Sequence, residues 1–564
     1  MAGCPGARSI SPPMNLPLAI GSFLFFTALV ALISWWRTRR EDNSDAQTYF
    51  LAGRKLPWIQ VAGALLLTNL STEQLIGLNG AASIHGAVVM AWEVVPVFAL
   101  IAMAWYFLPR YWSGNITTVP QFLEQRFDAT ARRIMGIVFI ITIALNILPF
   151  VLYSGGLAMS TIFHVHTQLG ISEGASFRLM AWSIGIIGTC YVLFGGMKAV
   201  ALSDTLYGAG LLVCGLLIPV LALFKLGDGD FLAGLNRLLQ HQAGKIDPVG
   251  GPRSNVPFDT LFTGMLFINL FYWCTNQMIV QRSFGAKSFA EAQKGILATA
   301  GLKLLGPFFL VIPGIIAAEM FGAAAIGNGD LAYSLLVDAV LPPYLVGLFA
   351  AVFLGSVISA FNGGLHSVST MFSIDLYRGW LRPGASDHEM VRAGKLFSVG
   401  VVFVAIFTTS LLGSSSEGIF TMMKQVMSAF KLPLLAVVVT GMLSRRVPAW
   451  AANVSMILGV FTSIVLNCLW GVGFLGLGRF NVSSVHIHWL HLAALNTLLL
   501  CGFMLVVGWF APAAPAAARA KRDGLPPVVA VDLTPWRGLR VASVVVSVLA
   551  VALYFSLWRL AHSG

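Results

Sequence analysis

Apolar runs long enough to cross a lipid bilayer recur along the whole sequence, and they constrain the fold more than any single motif does. A helix needs about 20 apolar residues to span the hydrocarbon core, and only helices and closed barrels satisfy their own backbone hydrogen bonds in lipid. The composition agrees, since 57% of the 564 residues are hydrophobic and 10% are charged, against about 25% in soluble domains. We therefore predict an all-α polytopic membrane protein with about 14 transmembrane helices. The predicted spans lie near residues 14–36, 57–84, 87–109, 134–164, 177–195, 200–224, 259–281, 292–319, 343–375, 395–413, 417–443, 450–475, 488–510 and 539–558.

The basic residues indicate how these helices are oriented. Most of the 35 lysines and arginines fall in alternate connecting segments, including 37–40, 132–133 and 445–446. Connecting segments rich in Lys and Arg stay on the cytoplasmic side of a membrane, so both termini are expected outside. This bias accounts for the net charge of +12 without a nucleic-acid partner, and the expected partner is the lipid bilayer.

The pattern argues against an enzyme. No connecting segment is long enough for a catalytic domain, and the six cysteines show no paired metal-ligand spacing. His486, His488 and His491 are interpreted as interfacial histidines rather than as a metal cluster. We find no nucleophile–base pair and predict no catalytic residues and no organic cofactor.

The second predicted span is interrupted by polar residues at mid-depth. Its apolar sequence gives way to the run 68–74 (Thr-Asn-Leu-Ser-Thr-Glu-Gln) before it resumes with glycines. Interrupted helices near the bilayer midplane form the substrate and ion sites of many secondary transporters, because unwound carbonyls coordinate a cation and half-helix ends face the substrate. The alternative is a polar seam between packed helices. The pattern favours a secondary transporter of small solutes.

Three charged residues lie within predicted spans, where charge is costly and calls for a functional explanation. Glu93 has apolar sequence on both sides, Lys303 stands between two leucines, and Asp204 lies at the inner end of the sixth span. Lys303 either snorkels to the interface or donates to oxygens of a substrate. Asp204 is either interfacial or part of an ion pathway.

One segment of the seventh span combines amides with aromatic side chains. Asn269, Tyr272 and Trp273 follow one another closely there. An amide both donates and accepts, which suits a ligand rich in hydroxyls, and an aromatic face covers the apolar face of a sugar ring. Tyr153 stands in a similar context in the segment 148–156. Ordinary helix packing is the alternative for both stretches.

At these residues the chain resembles the sodium:solute symporter family, in particular its sodium/galactose branch. The resemblance runs from about Tyr49 to Arg446. The motifs that carry it are Tyr49-Phe-Leu-Ala-Gly-Arg54, Ser71-Thr-Glu-Gln74, Tyr272-Trp273, Asn276-Gln277, Gln281-Arg282 and Ser369-Thr-Met-Phe-Ser-Ile-Asp375. It implies a LeuT-type 5+5 inverted repeat, in which five spans recur in inverted orientation. The implied organisation is an N-terminal tail (1–13), a leading helix (14–36), a symporter core (49–446) with inverted repeats 57–224 and 259–443, two accessory helices (447–510), a cytoplasmic linker (511–538) and a C-terminal helix and tail (539–564).

The resemblance also implies roles for individual residues. Those matched to solute-contacting positions are Gln74, Glu93, Asn269 and Lys303, with Tyr153 as the aromatic residue on the outer side and Tyr272 as the inner gate beside Trp273. Together these residues favour a sugar or polyol. The chain departs from the family pattern in two places: Pro96 replaces a serine, and Lys424 aligns with a glutamine for which the adjacent Gln425 is the expected substitute.

For sodium, the resemblance implies the backbone carbonyls of Leu67, Leu70 and Ser356 and the hydroxyl of Ser359. The family usually has a second hydroxyl residue next, where this chain has Ala360. One hydrogen-bond-like interaction with a charge is worth about 1.5–3 kcal/mol. Its absence corresponds to about a 10- to 150-fold weaker affinity, unless water fills the gap. Sodium is expected as the coupling ion and as the only bound metal, while Asp204 leaves proton coupling open.

The sequence thus predicts sodium-coupled symport of a small polar solute, with a sugar as the expected substrate, by alternating access. The alternatives are a proton-coupled or uncoupled transporter, a channel, and a transporter of sialic acid, carboxylates or amino acids. The expected location is a multi-pass position in a bacterial inner (plasma) membrane.

Overall fold

The computed structural model of the protein describes residues 16–38, 46–70, 72–322, 329–411, 419–470, 487–511 and 532–563. Over these residues the chain is helical almost throughout, with an isolated β-bridge between Leu56 and Ala286. The described helices of ten or more residues are Leu16–Thr38, Trp58–Asn69, Thr72–His85, Ala129–Thr142, Leu148–Ile162, Glu173–Leu226, Phe231–His241, Gly264–Cys274, Phe289–Lys303, Ile312–Phe321, Pro343–Met371, Phe372–Leu381, Asp387–Leu411, Ile419–Leu443, Ala449–Trp470, Trp489–Phe510 and Leu539–His562.

Shorter helical turns connect these helices or continue them across bends. They are Ala46–Leu51, Ala52–Arg54, Gly86–Met90, Ala91–Val94, Pro96–Ala102, Met103–Phe107, Leu108–Ser113, Val119–Arg126, Ile143–Ile147, Val165–Leu169, Ala243–Ile246, Phe258–Phe262, Gln277–Phe284, Gly306–Leu310, Gly329–Leu331 and Ala332–Val340.

The helices are long and apolar enough for a protein that crosses a membrane many times. Within the described residues, nine helices qualify by length and composition, or ten when the bent pair Phe289–Lys303 and Gly306–Phe321 counts as one span. One of the nine, Gln74–Ser113, contains Gly86 at a φ of +76°. Left-handed backbone of this kind ends a helix, so this segment holds two predicted spans. Every predicted span falls on helical segments where the structure describes it, and the prediction of an all-α polytopic protein is confirmed.

The two halves of the core each begin with an interrupted helix. Trp58–Asn69 is followed after a break by Thr72–His85, and Gly264–Cys274 is followed by Gln277–Phe284. Asn276 starts the second half-helix, since its side-chain oxygen accepts from a backbone N–H two residues further on, at 3.3 Å. The first break was predicted from its polar run. The second was not predicted, although the amides that form it were noted. Matching interruptions at the start of both halves are expected of an inverted repeat.

One predicted boundary is absent from the structure. The sequence predicts a connection between spans near residues 196–199, but helical hydrogen bonding continues from Glu173 to Leu226, over 54 residues. Met, Lys and Ala in that stretch are good helix formers, so local propensity favours continued helix there. Val200–Leu226 still forms a membrane-crossing segment of its own.

Asn79 ties the first interrupted helix to the bent pair. Its amide donates to the carbonyl of Phe309 at 3.2 Å, and its side-chain oxygen accepts from the N–H of Gly314 at 2.9 Å. Between these two partners the helix is interrupted at Val311, and Pro313 lacks the N–H that would bond to the carbonyl of Phe309. Asn79 therefore supplies hydrogen bonds that the lipid would not.

We expect Asn79→Leu to lower the melting temperature of the detergent-solubilised protein. Each buried group left unsatisfied costs about 1–3 kcal/mol, and this substitution orphans groups on two helices. Asn467→Leu is the matched control, because Asn467 donates to the carbonyl of Ser463 in its own helix, at 2.9 Å. Equal melting temperatures for the two variants would contradict this role.

Candidate functional site

A small cavity lies between the interrupted helices and the helix Ile419–Leu443. Its volume is about 30 Å³, which is room for one or two water molecules. A hexose therefore requires the lining side chains to move apart, so the structure represents a contracted state of the site. The described lining residues are Asn69, Gln74, Trp92, Pro96, Ile268, Asn269, Phe271, Tyr272, Trp273, Lys424, Met427, Ser428, Lys431 and Leu432.

Four residues proposed from the sequence meet at this cavity. Gln74 comes from the second half of the first interrupted helix, and Asn269, Tyr272 and Trp273 come from the second interrupted helix. The rings of Tyr272 and Trp273 pack edge to face, with centroids 5.3 Å apart. These four residues thus bring two amides and two aromatic rings to the cavity, a combination that suits a hydroxyl-rich ring.

Glu93 and Lys303 form a fully buried ion pair behind the lining. Lys303 Nζ bonds to Glu93 Oε2 and donates to Asn69 Oδ1 at 2.6 Å. The Gln74 amide adjoins the same carboxylate. Asn69 and Gln74 both line the cavity, so the pair acts on the cavity through these two residues.

Two acceptors of this network have no hydrogen bond within the described part of the chain. They are Gln74 Oε1 and Glu93 Oε1, both buried. A buried acceptor without a donor costs about 1–3 kcal/mol, and hydroxyl groups of a solute are suitable donors. We therefore regard these oxygens as candidate ligand contacts.

Tyr153 and Gln425 do not line the cavity. The Tyr153 ring packs on Phe177 at 5.3 Å. The backbone carbonyl of Gln425 accepts from the Ser428 hydroxyl at 2.7 Å, whereas the side chain of its neighbour Lys424 lines the cavity. Lys424 therefore occupies the position at the cavity that the sequence analysis assigned to Gln425.

Lys431 was not proposed as a site residue from the sequence. It follows Lys424 by seven residues and so lies on the same face of the helix Ile419–Leu443, with Ser428 between them. Lys424 Nζ lies 5.5 Å from the ring centre of Trp92 and 5.8 Å from that of Tyr272, and Lys431 Nζ lies 5.7 Å from that of Phe271. The sequence signal for Lys431 would have been a second lysine within the same predicted span, seven residues after Lys424.

The two helices that carry the residues proposed for sodium approach each other at the first break. Thr68 and Asn69 line a second cavity of about 10 Å³ together with Ala360. The helices are close there, since a Cβ on Gly363 would lie 3.2 Å from the Thr68 methyl group. Leu67 lies in the last turn of Trp58–Asn69 and Leu70 directly follows that helix, whereas Ser356 and Ser359 precede Ala360 within Pro343–Met371.

Thr68 was missed by the sequence reasoning. Its hydroxyl is buried without a hydrogen bond in the described structure, and it faces the same small cavity as Ala360. Threonine in a helix usually bonds a carbonyl of the preceding turn. The absence of such a bond leaves the Thr68 oxygen available to a cation beside Ala360.

Asp204 is buried next to these residues rather than at the interface. Its carboxylate adjoins Ser359 and lies 3.8 Å from the guanidinium of Arg282, with both side chains 1% exposed. Arg282 makes no hydrogen bond in the described structure, so Asp204 provides the nearest charge compensation. Asp204 thus lies between Ser359, one of the residues proposed for sodium, and the buried guanidinium group of Arg282.

Tyr272 lies between the two cavities. Together with Asn69, Gln74, Lys424 and Met427, it lines both the larger cavity and the one beside Ala360. Its ring thus stands at the border of the two spaces, and Tyr272 remains the candidate gate proposed from the sequence.

Three comparisons with known proteins bear on this site. The sequence profile of the sodium:solute symporter family matches residues 49–459. The chain is 40% identical to the uncharacterized symporter YidK of Escherichia coli (strain K12), over 96% of this chain and 91% of that protein. It is 30% identical to a sodium/glucose cotransporter of Vibrio parahaemolyticus, over 78% and 83%. Among solved structures, the substrate-bound outward-open state of a Na⁺-coupled sialic acid symporter matches with a TM-score of 0.71 at 19% identity, covering 88% of this chain and 98% of that one; this likeness concerns the fold.

Proposed function

Because this chain belongs to the sodium:solute symporter family and is a multi-pass membrane transporter rather than an enzyme, we propose that it carries a sugar-like solute inward together with sodium. The fold is the LeuT-type inverted repeat of sodium-coupled symporters. Glucose and myo-inositol appear in the names of its relatives. The amides and aromatic faces around the cavity support the same class of solute.

One observation supports the proposal: the first helix break borders both the cavity proposed for the solute and the residues proposed for sodium. Asn69 lines the solute cavity, and its neighbour Thr68 lies against the helix that holds Ser359 and Ala360. A cation held by the carbonyls of Leu67 and Leu70 would order the break and with it the position of Asn69. Each ligand then raises the affinity for the other by the same factor, as thermodynamic linkage requires.

Transport follows from alternate opening of this contracted site. Sodium and solute enter from outside, and the lining closes on the solute hydroxyls with Gln74 and Asn269 as donors and acceptors. Rotation of Tyr272 then opens the way past the small cavity to the inside. A potential of about 100 mV contributes about 2.3 kcal/mol per charge, and a tenfold sodium gradient contributes about 1.4 kcal/mol. Together, these two contributions can sustain a solute concentration inside that is on the order of several hundred times the concentration outside.

The direct test is uptake of labelled hexoses and polyols by the purified protein in liposomes, with and without an inward sodium gradient. We expect saturable, concentrative uptake that requires sodium and increases with an inside-negative potential. Uptake driven by a proton gradient alone would transfer the coupling role to Asp204. Uptake indifferent to both ions would identify a uniporter and refute the symport proposal.

We expect Thr68→Val to weaken sodium activation of uptake by about 10- to 150-fold, since one oxygen ligand to a charge is worth about 1.5–3 kcal/mol. Valine matches threonine in shape, so packing against Gly363 is retained. Thr68→Ser keeps the hydroxyl and serves as the control. The sodium concentration for half-maximal uptake is the measurement, and an unchanged value in the valine variant would remove Thr68 from the sodium site.

The proposed location is supported by the family and the charge pattern. A bacterial inner membrane with both termini outside agrees with the basic residues of the connecting segments. A reporter fused to the C-terminus and active only in the cytoplasm should therefore be inactive, and its activity would reverse the proposed orientation.

A further inference from the structure

A cavity separate from the solute site lies on the side of the protein that carries the basic connecting segments. Its volume is about 580 Å³, which is in the range of small-molecule binding sites. It shares no described lining residue with the two cavities discussed above. The turn Ala52–Arg54, the helices Val119–Arg126 and Phe372–Leu381 and the start of Asp387–Leu411 contribute to its walls. In the proposed orientation this side is cytoplasmic.

Three arginines line this cavity, namely Arg54, Arg132 and Arg378. Arg132 is already neutralised, since it forms ion pairs with Asp375 and Glu124. Its remaining terminal nitrogen donates to a backbone carbonyl at 2.7 Å. We therefore assign Arg132 to the wall of the cavity and not to the binding of a ligand.

Arg54 has no charged partner among the described residues. Its Nε is buried without a hydrogen bond in the described structure, and its guanidinium lies 5.9 Å from the ring centre of Trp112. Burial lowers the pKa of Arg54, and no carboxylate in the described part of the chain opposes that shift. Because an arginine stays charged in proteins, this guanidinium carries a charge that a bound anion would offset.

The backbone that leads to Arg54 is strained. The angle φ is +55° at Ala52 and +53° at Arg54, with Gly53 between them at +61°. Left-handed backbone costs a residue other than glycine about 1–3 kcal/mol, and such strain clusters at ligand-binding sites. The strained turn places Arg54 at the wall of the cavity.

Arg378 has a partner that is easily exchanged. Its Nη1 lies 3.0 Å from Oδ1 of Asp387, which is the one carboxylate among the described lining residues. Both side chains are about half exposed, and an exposed ion pair contributes only about 0–1 kcal/mol. The other donors of this guanidinium are therefore available, and the pair with Asp387 costs little to rearrange.

Neutral donors stand beside the two arginines. Asn115, Thr117 and Gln121 line the same cavity. Oε1 of Gln121 accepts from the backbone N–H groups of Thr117 at 2.7 Å and of Thr118 at 3.1 Å. These bonds fix the side chain and leave its amide nitrogen as a donor. The cavity thus offers guanidinium and amide donors from separate elements.

We propose that this cavity binds a phosphate group through Arg54 and Arg378, with Gln121 as a neutral donor. A guanidinium fork matches two oxygens of a carboxylate or a phosphate. One fork already occupies both oxygens of a carboxylate, whereas a phosphate has further oxygens for a second fork and an amide. Because Ala52–Arg54 leads into Trp58–Asn69, a phosphate held by both arginines would tie the first interrupted helix to Phe372–Leu381.

Two sources of phosphate fit this position. Trp380 and Leu381, which directly follow the lining residue Gly379, are 51% and 59% exposed, as expected of side chains at a lipid interface. Basic pockets between helices on the cytoplasmic side bind anionic lipid headgroups. The size and the polar lining of the cavity also admit a soluble phosphate ester.

The test measures the melting temperature of the delipidated full-length protein in a neutral detergent. One arm titrates glycerol 3-phosphate beside glycerol at constant sodium and ionic strength, and the other titrates short-chain phosphatidylglycerol beside phosphatidylcholine of the same chain length. A ligand that binds the folded protein raises the melting temperature with its concentration. A rise with glycerol 3-phosphate identifies a soluble ester as sufficient, and a rise with phosphatidylglycerol alone identifies a lipid headgroup. No rise above the matched control in either arm would overturn the proposal.

Substitutions of the two arginines locate the site. Arg54→Gln and Arg378→Gln should each raise the apparent Kd for the stabilising ligand about tenfold or more, since each removes charge-assisted hydrogen bonds. Arg382→Gln is the matched control, because Arg382 forms a similar surface ion pair, with Glu389 at 3.3 Å, but does not line the cavity. The two cavity variants are independent, so either one that folds gives the result. An unchanged Kd in the cavity variants, or the same weakening in Arg382→Gln, would refute the assignment.

Discussion

Replacing Lys303 by methionine is expected to abolish sodium-driven uptake and to destabilise the folded protein. The substitution leaves the Glu93 carboxylate fully buried without its cation and removes the donor to Asn69. Breaking a buried ion pair from one side costs about 3–5 kcal/mol. Uptake in proteoliposomes and the melting temperature in detergent measure the two effects separately.

The double variant Glu93→Gln with Lys303→Met distinguishes folding from transport. It removes both charges, so most of the stability lost in the single variant should return, as it does when buried pairs are replaced together. Uptake should stay absent, since the position of Asn69 and the orphaned oxygen of Glu93 are both altered. Uptake in the double variant near that of the unaltered protein would show that the pair has no part in solute binding.

The second large effect is expected at Asp204. In Asp204→Asn, Arg282 remains buried with its nearest carboxylate gone, at a cost of about 3–5 kcal/mol. The same change alters the group beside Ser359, so we expect uptake to lose its stimulation by sodium as well as much of its rate. Sodium titration of uptake measures the loss of sodium stimulation, and thermal denaturation measures the loss of stability.

Arg282→Met in the Asp204→Asn background is the compensating change. It should restore the melting temperature but not the sodium response, because the charge beside Ser359 is still missing. A normal sodium response in Asp204→Asn would place this pair outside the ion pathway and assign it a purely structural role.

Local sequence was sufficient for the parts of this protein that depend on a single helix. The first interruption could be predicted because polar residues at mid-span cannot be satisfied by lipid. The amides Gln74 and Asn269, which line the cavity, were proposed from polar residues within apolar spans together with the family resemblance. Apolar length and the alternation of basic segments, which need no knowledge of neighbours, were enough to predict an all-α polytopic chain.

Helical phase was harder to predict than residue type. Lys424 and Gln425 are adjacent, so they point about 100° apart on a helix, and the rotation of Ile419–Leu443 in its packing places Lys424 at the cavity. The same rotation brings Lys431 to that face. Tyr153 has a suitable context in the sequence, but its helix directs it towards Phe177.

The sequence by itself determined that this chain spans a membrane repeatedly, breaks its helix near residue 70, and holds charges where lipid would exclude them. Only the tertiary structure decided how those charges and hydroxyls are distributed: Lys303 bonds to Glu93, 210 residues away, Asp204 lies near Arg282, and Thr68 faces the space left by Ala360. The physical reason is that burial cost depends on residue type and depth, which are local, whereas its compensation depends on which distant groups the packing brings within hydrogen-bonding distance.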